Sequence, residues 1–243
     1  MEWIVPIAGE KFDLQELSKS LTSPELCIAQ EGEAFVLKST DFNLLKDADT
    51  ARNKASEIIN LINGAAKLAM GMQKPLTVDH VTKINDNGTR ENFISVSITS
   101  VSRVSVSMSV IAEDGTIKEI HQADPIPSWV EIGQNDANVA KVLRLWGVGP
   151  HDWVSLYRIY EIVESDVDGF SYIVNMGWAT KTGIKRFKHT ANSPEAIGDK
   201  ARHGKYIPPP KNPMTFYEAR SLVETILHNW LRSKNNVPDK VDT

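Results

Sequence analysis

The chain has 243 residues, 41% of them hydrophobic, and a formal net charge of -4. That is enough apolar material for one large domain or two small ones, and 24% charged residues with ordinary glycine and proline content exclude a disordered chain. The single cysteine, Cys27, excludes an internal disulfide and a cysteine-rich zinc site, and no apolar run approaches the roughly 20 residues of a membrane helix.

Residues 1–46 read as short strands with one short helix, carried by the apolar runs Trp3-Ile4-Val5, 26–29 and 34–37. A long helix follows. Asp47 or Asp49 caps it, and Ala51, Ala55, Ile58, Ile62, Ala65 and Ala69 form one apolar stripe. Gly71 supplies a left-handed stop and Pro75 prevents resumption; the alanine-rich face is expected to lie close against a sheet. Residues 76–121 read as antiparallel strands. Asn85-Asp86-Asn87-Gly88 marks one hairpin and Asp114-Gly115 a second, with apolar residues alternating with serines over 93–111.

Asp124-Pro125-Ile126-Pro127 reads as a boundary, after which the periodicity is helical. The spacing predicts a helix over 138–146 stopping at Gly147, a longer one capped by Asp152, and another over 170–188 weakened by Gly177 and Gly183. Ser193-Pro194-Glu195 starts a short helix, with Ser193 as its cap. After a proline-rich crossing over 206–214, Thr215-Phe216-Tyr217-Glu218 is a capping box opening the last helix. The expected fold class is α+β: an N-terminal antiparallel sheet with one long helix, and a C-terminal helical bundle. The expected division is 1–126, 127–233 and a flexible polar tail over 234–243.

The chemistry concentrates in 181–211. Eight Lys or Arg stand there against two acids, Glu195 and Asp199, so a positive island sits on an otherwise acidic chain. Such clustering raises a local potential that net charge conceals. Arg186 and Arg202 offer planar two-pronged donors for phosphate or carboxylate. His189 and His203 titrate near neutrality and are candidate general acid and base. Asn192 adds a short polar group before a helix start, where free backbone N–H groups favour anions. These five residues form the candidate ligand-binding set. Each also has an ordinary structural reading: a solvated helix face for the cations, turn chemistry for Asn192, and a carbonyl-bound loop anchor for His189. Trp146, Trp153, Trp178 and Trp230 fall at helical spacing among aliphatics and read as core. No phosphate loop, GxSxG elbow or HExxH motif is present, and no metal site or cofactor is expected.

The block HTANSPEAIGDKARHG followed by PPPKNPMTFYEARSLVETILHNWL resembles the C-terminal block of a group of bacterial proteins without an assigned activity, over roughly residues 140–232. The helical half is more distantly similar to the HEPN superfamily of small helical bundles, found in toxins, phage-defence proteins and ribonucleases. Its catalytic members set Arg and His four to six residues apart. Here two residues separate Arg186 from His189, Arg202 and His203 are adjacent, and seven residues intervene between Arg220 and His228. No catalytic role is therefore carried across.

The first functional expectation is a non-catalytic bacterial binding protein acting in phage defence. Its basic helical half engages nucleic acid, a nucleotide or another phosphate-bearing ligand, or a second copy of itself. The alternative is a HEPN-like ribonuclease or phosphodiesterase using the His189/His203 region with Arg186 or Arg202. The start MEWIVPIAGEKFD is too short and acidic for a signal peptide, so the expected location is cytoplasmic, with no membrane partner.

Overall fold

A computed structural model describes residues 2–94, 124–149 and 151–235. The fold is α+β. The N-terminal half holds an antiparallel sheet of β1 (Glu2–Ala8), β2 (Leu26–Glu31), β3 (Ala34–Ser39), β4 (Thr77–Val78), β5 (His80–Ile84) and β6 (Arg90–Ile94). Their order is β2-β3-β1-β5-β6, and the short β4 also pairs with β1. β1 is central because Trp3, Ile4 and Val5 are all buried and need cover on both faces. Its register sets Val5 opposite Leu37 and Ile4 opposite Thr82. The Asn85 hairpin joins β5 to β6, with the Gly88 N–H donating to the Asn85 carbonyl at 2.8 Å. The expected serine-alternating strand and the Asp114-Gly115 turn lie outside the described residues.

Two helices complete this half: α1 (Lys11–Ser20) and α2 (Ala48–Ala69). Asp47 caps α2 by accepting from the Thr50 N–H at 2.8 Å, and Gly71, at φ +71°, follows its end. The small-residue face of α2 lies only partly against the sheet. Its closest neighbour is α4 (Ala137–Val148), and α3 (Ile126–Asn135) packs beside both.

The helical half continues with α5 (Trp153–Asp166), α6 (Phe170–Asn175), α7 (Lys181–Asn192), α8 (Pro194–Ile197) and α9 (Phe216–Asn235). Aspartates cap α4 and α5: Asp136 accepts from the N–H groups of Asn138 and Val139, and Asp152 from that of Ser155. The helix expected over 170–188 is two helices, α6 and α7. Gly177 stands between them at φ +72°, a left-handed conformation that L side chains rarely adopt. Conversely, α4 runs through Gly147 to Val148 instead of stopping there.

The buried hydrophobic residues form one contiguous cluster that crosses the sequence boundary at 126, with α2 from the first half packed on α3 and α4 from the second. All six tryptophans belong to it. Where the polar tail was expected to begin, Lys234 is still helical. Its ammonium reaches Asp136 at 2.7 Å and Asp166 at 2.8 Å, joining the ends of α4, α5 and α9. The Trp230 indole N–H and the Asn138 amide complete the ring of donors around Asp166. Among the described residues no helix is long and apolar enough to cross a membrane.

Candidate anion-binding surface

Phe187 is the fixed point of the basic segment. It is fully buried on α7 and meets Trp153, Tyr157 and Tyr160 of α5 with ring centroids 5.7–6.3 Å apart. This aromatic contact sets α7 on α5 and turns a second face of α7, carrying residues 186, 189, 190 and 193, toward the crossing over 206–214. Those positions share one helix face by spacing. Each is bonded to the crossing, which has no regular structure and lies on α7 as a strap.

The bonds are specific. The Ser193 hydroxyl donates to the Ile207 carbonyl at 2.6 Å, and His189 Nε2 meets the Pro208 carbonyl at 2.8 Å, necessarily as the donor. Thr190 is fully buried; its hydroxyl accepts from the Met214 N–H at 3.0 Å and donates to the Arg186 carbonyl. The Arg186 guanidinium donates to the carbonyls of Asn212 and Pro213 and binds both oxygens of Glu218 at 3.0 Å. Glu218 is in turn the capping-box carboxylate, accepting from the Thr215 N–H at 2.7 Å. The Thr215 N–H, then Arg186, hold the Glu218 carboxyl well below the ordinary range, at about 2. Three prolines (208–210) explain the need for this arrangement. The strap has few N–H groups of its own, so its carbonyls are matched by side-chain donors instead of a backbone ladder. Ser193, expected as a cap, makes no side-chain cap bond to α8 and serves the strap instead.

Two further cations of the segment are locked to α5. Lys188 binds both oxygens of Glu164 at 2.9 and 3.0 Å and lies over the Tyr160 ring, 5.1 Å from its centre. Burial, with the Glu164 carboxylate accepting the Tyr160 hydroxyl proton, pushes that phenol far up. Arg202 stacks over the Tyr157 ring at 4.4 Å and pairs with Glu161 at 3.1 Å. Asn192 donates to the Lys188 carbonyl at 2.8 Å and to the Tyr157 hydroxyl at 3.3 Å, leaving its own buried carbonyl oxygen without a partner among the described residues.

The five candidate residues therefore divide. Asn192 and Arg202 converge on Tyr157. Arg186 and His189 are committed to the strap. His203 is half-buried and makes no side-chain hydrogen bond among the described residues. No direct hydrogen bond or ion pair joins any two of the five side chains. The α5 residues that hold the segment, Tyr157 and Glu161 for Asn192 and Arg202, Tyr160 and Glu164 for Lys188, were missed in the sequence, although their 3-1-3 spacing marks one helix face directed at a neighbour. His228, read as packed, lies edge-on to Trp129 at 5.5 Å.

What remains of the positive island is a set of lysines. Lys181, Lys185, Lys200, Lys205 and Lys211 are exposed and have no carboxylate partner among the described residues. Lys181 and Lys185 are one turn apart on α7, while Lys205 and Lys211 sit at and within the strap bonded along it. Of the two acids of the segment, Glu195 is on α8 and Asp199 adjoins Lys200 in the short turn that follows.

An α+β chain with a strapped helical half and an exposed lysine layer is the class that the fold and this surface define. No family model, curated protein or solved structure matches the chain.

Proposed function

We propose that this protein is a non-catalytic binding protein whose helical half engages an anionic partner through the exposed lysines of α7 and the strap. One observation carries the reading. Arg186, Lys188 and Arg202 are each held by a glutamate, whereas Lys181, Lys185, Lys205 and Lys211 stand exposed on the same two-element layer without an acid. Paired cations shape the layer, and unpaired ones supply its outward potential. Arg186 and His189 have their donors directed at strap carbonyls and Glu218, so the proposal does not extend to catalysis.

Heparin-affinity chromatography tests this directly. Retention is expected to fall steeply between about 50 and 200 mM salt. Replacing the four lysines together by glutamine should weaken binding on the order of a hundredfold at the low-salt end. A wild-type protein that passes unretained at low salt overturns the proposal, as does a quadruple variant that binds like wild type.

A further inference from the structure

We infer that the anionic partner is a single-stranded nucleic acid, and that Tyr206 and Tyr217 stack on its bases. The inference rests on the lysine-layer reading above and adds the identity of the partner. Its observation is independent of charge. Every tryptophan is buried, yet a tyrosine stands exposed at each end of the strap: Tyr206 at its start with 73%, and Tyr217 in the first turn of α9 with 83% of its surface exposed. Neither hydroxyl makes a hydrogen bond among the described residues, and neither ring takes part in an aromatic pair or a cation–π contact there. Scattered exposed aromatics are ordinary. These two instead flank the strap.

Tyr206 precedes Ile207, which is bonded to Ser193 at the C-terminal end of α7. Tyr217 precedes Glu218, which is bonded to Arg186 seven residues earlier on that helix. The two anchors are thus about 10 Å apart along the α7 axis. Lys205 adjoins the first ring and Lys211 lies between the two. Tyr217 also borders a shallow groove of about 510 Å³ lined by Trp178, Arg186, Met214 and Leu222, where a base has room beside the ring. Exposed aromatic rings with lysines beside and between them match a strand whose bases are free to turn outward. Lysines follow the phosphates, and ring faces take bases of any sequence. A duplex keeps its base faces stacked internally and offers the rings nothing, so the lysines alone would see it. A sulfated polysaccharide likewise engages only the lysines.

The test compares three probes at one salt concentration by fluorescence anisotropy or competition: a single-stranded DNA of about 20 nucleotides without self-complementarity, its duplex, and heparin. Wild type is expected to bind the single strand about tenfold or more tighter than the duplex. Tyr206→Ala/Tyr217→Ala should abolish that preference while leaving heparin binding and the thermal midpoint unchanged. Tyr206→Phe/Tyr217→Phe should restore it, because the ring is needed and the hydroxyl is not. Equal affinity of wild type for single strand and duplex overturns this inference and leaves the lysine layer standing. So does an alanine variant that keeps the preference. If the alanine variant instead changes the molar mass by light scattering with nucleic-acid binding intact, the tyrosines belong to a protein contact and the inference is overturned. Failure of all three probes to bind removes the lysine-layer proposal as well.

Discussion

Gly64 on α2 and Gly147 on α4 set how closely those helices approach. A Cβ on Gly64 would lie 2.2 Å from the Leu143 carbonyl oxygen, and one on Gly147 would lie 2.6 Å from the Gly64 nitrogen. Both obstacles are backbone atoms, which cannot swing aside as a side-chain tip can. Gly64→Ala is therefore expected to destabilise the fold by about 3 kcal/mol in urea denaturation; an unchanged midpoint would mean that the helices separate freely. Thr190 makes the same kind of demand through a hydrogen bond. Valine matches its shape but removes the acceptor that the buried Met214 N–H has among the described residues. Thr190→Val should cost about 2 kcal/mol, and Thr190→Ser, which keeps the hydroxyl, distinctly less. Equal losses for the two variants would assign the effect to packing. Gly147 also shows how a residue reads differently in sequence and in space. Glycine is a common helix stop, but here the helix continues and the missing side chain admits a neighbouring backbone.

Among the elements, the parts legible in the sequence are those whose signals are local. The caps Asp47 and Asp152 and the box Thr215–Glu218 bond within three residues of themselves, so spacing alone reveals them. The apolar stripe of α2 is legible for the same reason. The strap is different. His189, Thr190 and Ser193 reach backbone groups 14–24 residues away, and backbone partners carry no residue identity to search for. The cations of the island were visible, but Glu161, Glu164 and Glu218 that neutralise part of it lie on other helices. Local charge counting therefore overstated what faces solvent. Asn63 is an element-level case that sequence also hides. It is 1% exposed within α2, and its amide bonds both the N–H and the carbonyl of Leu76 at 2.7 and 3.0 Å, acting as one rung of a ladder to the chain entering β4. Asn63→Leu leaves two buried backbone groups unpaired and should cost about 3 kcal/mol. The neighbouring polar residue Asn60, which makes no side-chain hydrogen bond among the described residues, should tolerate replacement by alanine within about 0.5 kcal/mol. Urea denaturation of both variants checks the contrast, and equal losses would show that Asn63 is not special.

At the scale of the whole molecule, the groups with resolved shifts predict how stability depends on pH. His151 and His228 are half-buried, and that burial lowers both imidazoles from their ordinary value. The nearby cations Lys67 and Arg220 lower His151 further, against Asp152 and its bond to the Trp146 carbonyl; Arg232 acts similarly on His228, against Glu224. Both are therefore neutral in the fold at a pH where the unfolded chain has begun to take up protons. A depressed folded value means stability fully present above about pH 6.5 and declining as pH falls through the folded value. Glu218 adds a second window, from about pH 4.5 down to about 2, in which the unfolded carboxyl binds a proton before the folded one does. The net-charge effect has the opposite sign in part of this range. From pH 7.5 toward the isoelectric point near 5.9 the chain loses net charge, and self-repulsion declines. A fall in stability between those values must then come from specific groups. The urea midpoint is expected to drop from pH 7.5 to 5.5 and again below about 4.5. His151→Gln/His228→Gln should flatten the first decline, and Glu218→Gln should lessen the second, to which the lowered carboxyls of Glu31, Asp47 and Asp166 also contribute. A midpoint that holds level or rises from 7.5 to 5.5 would mean that the imidazoles accept protons within the fold, and that the α2–α4–α9 junction around His151 is open to solvent.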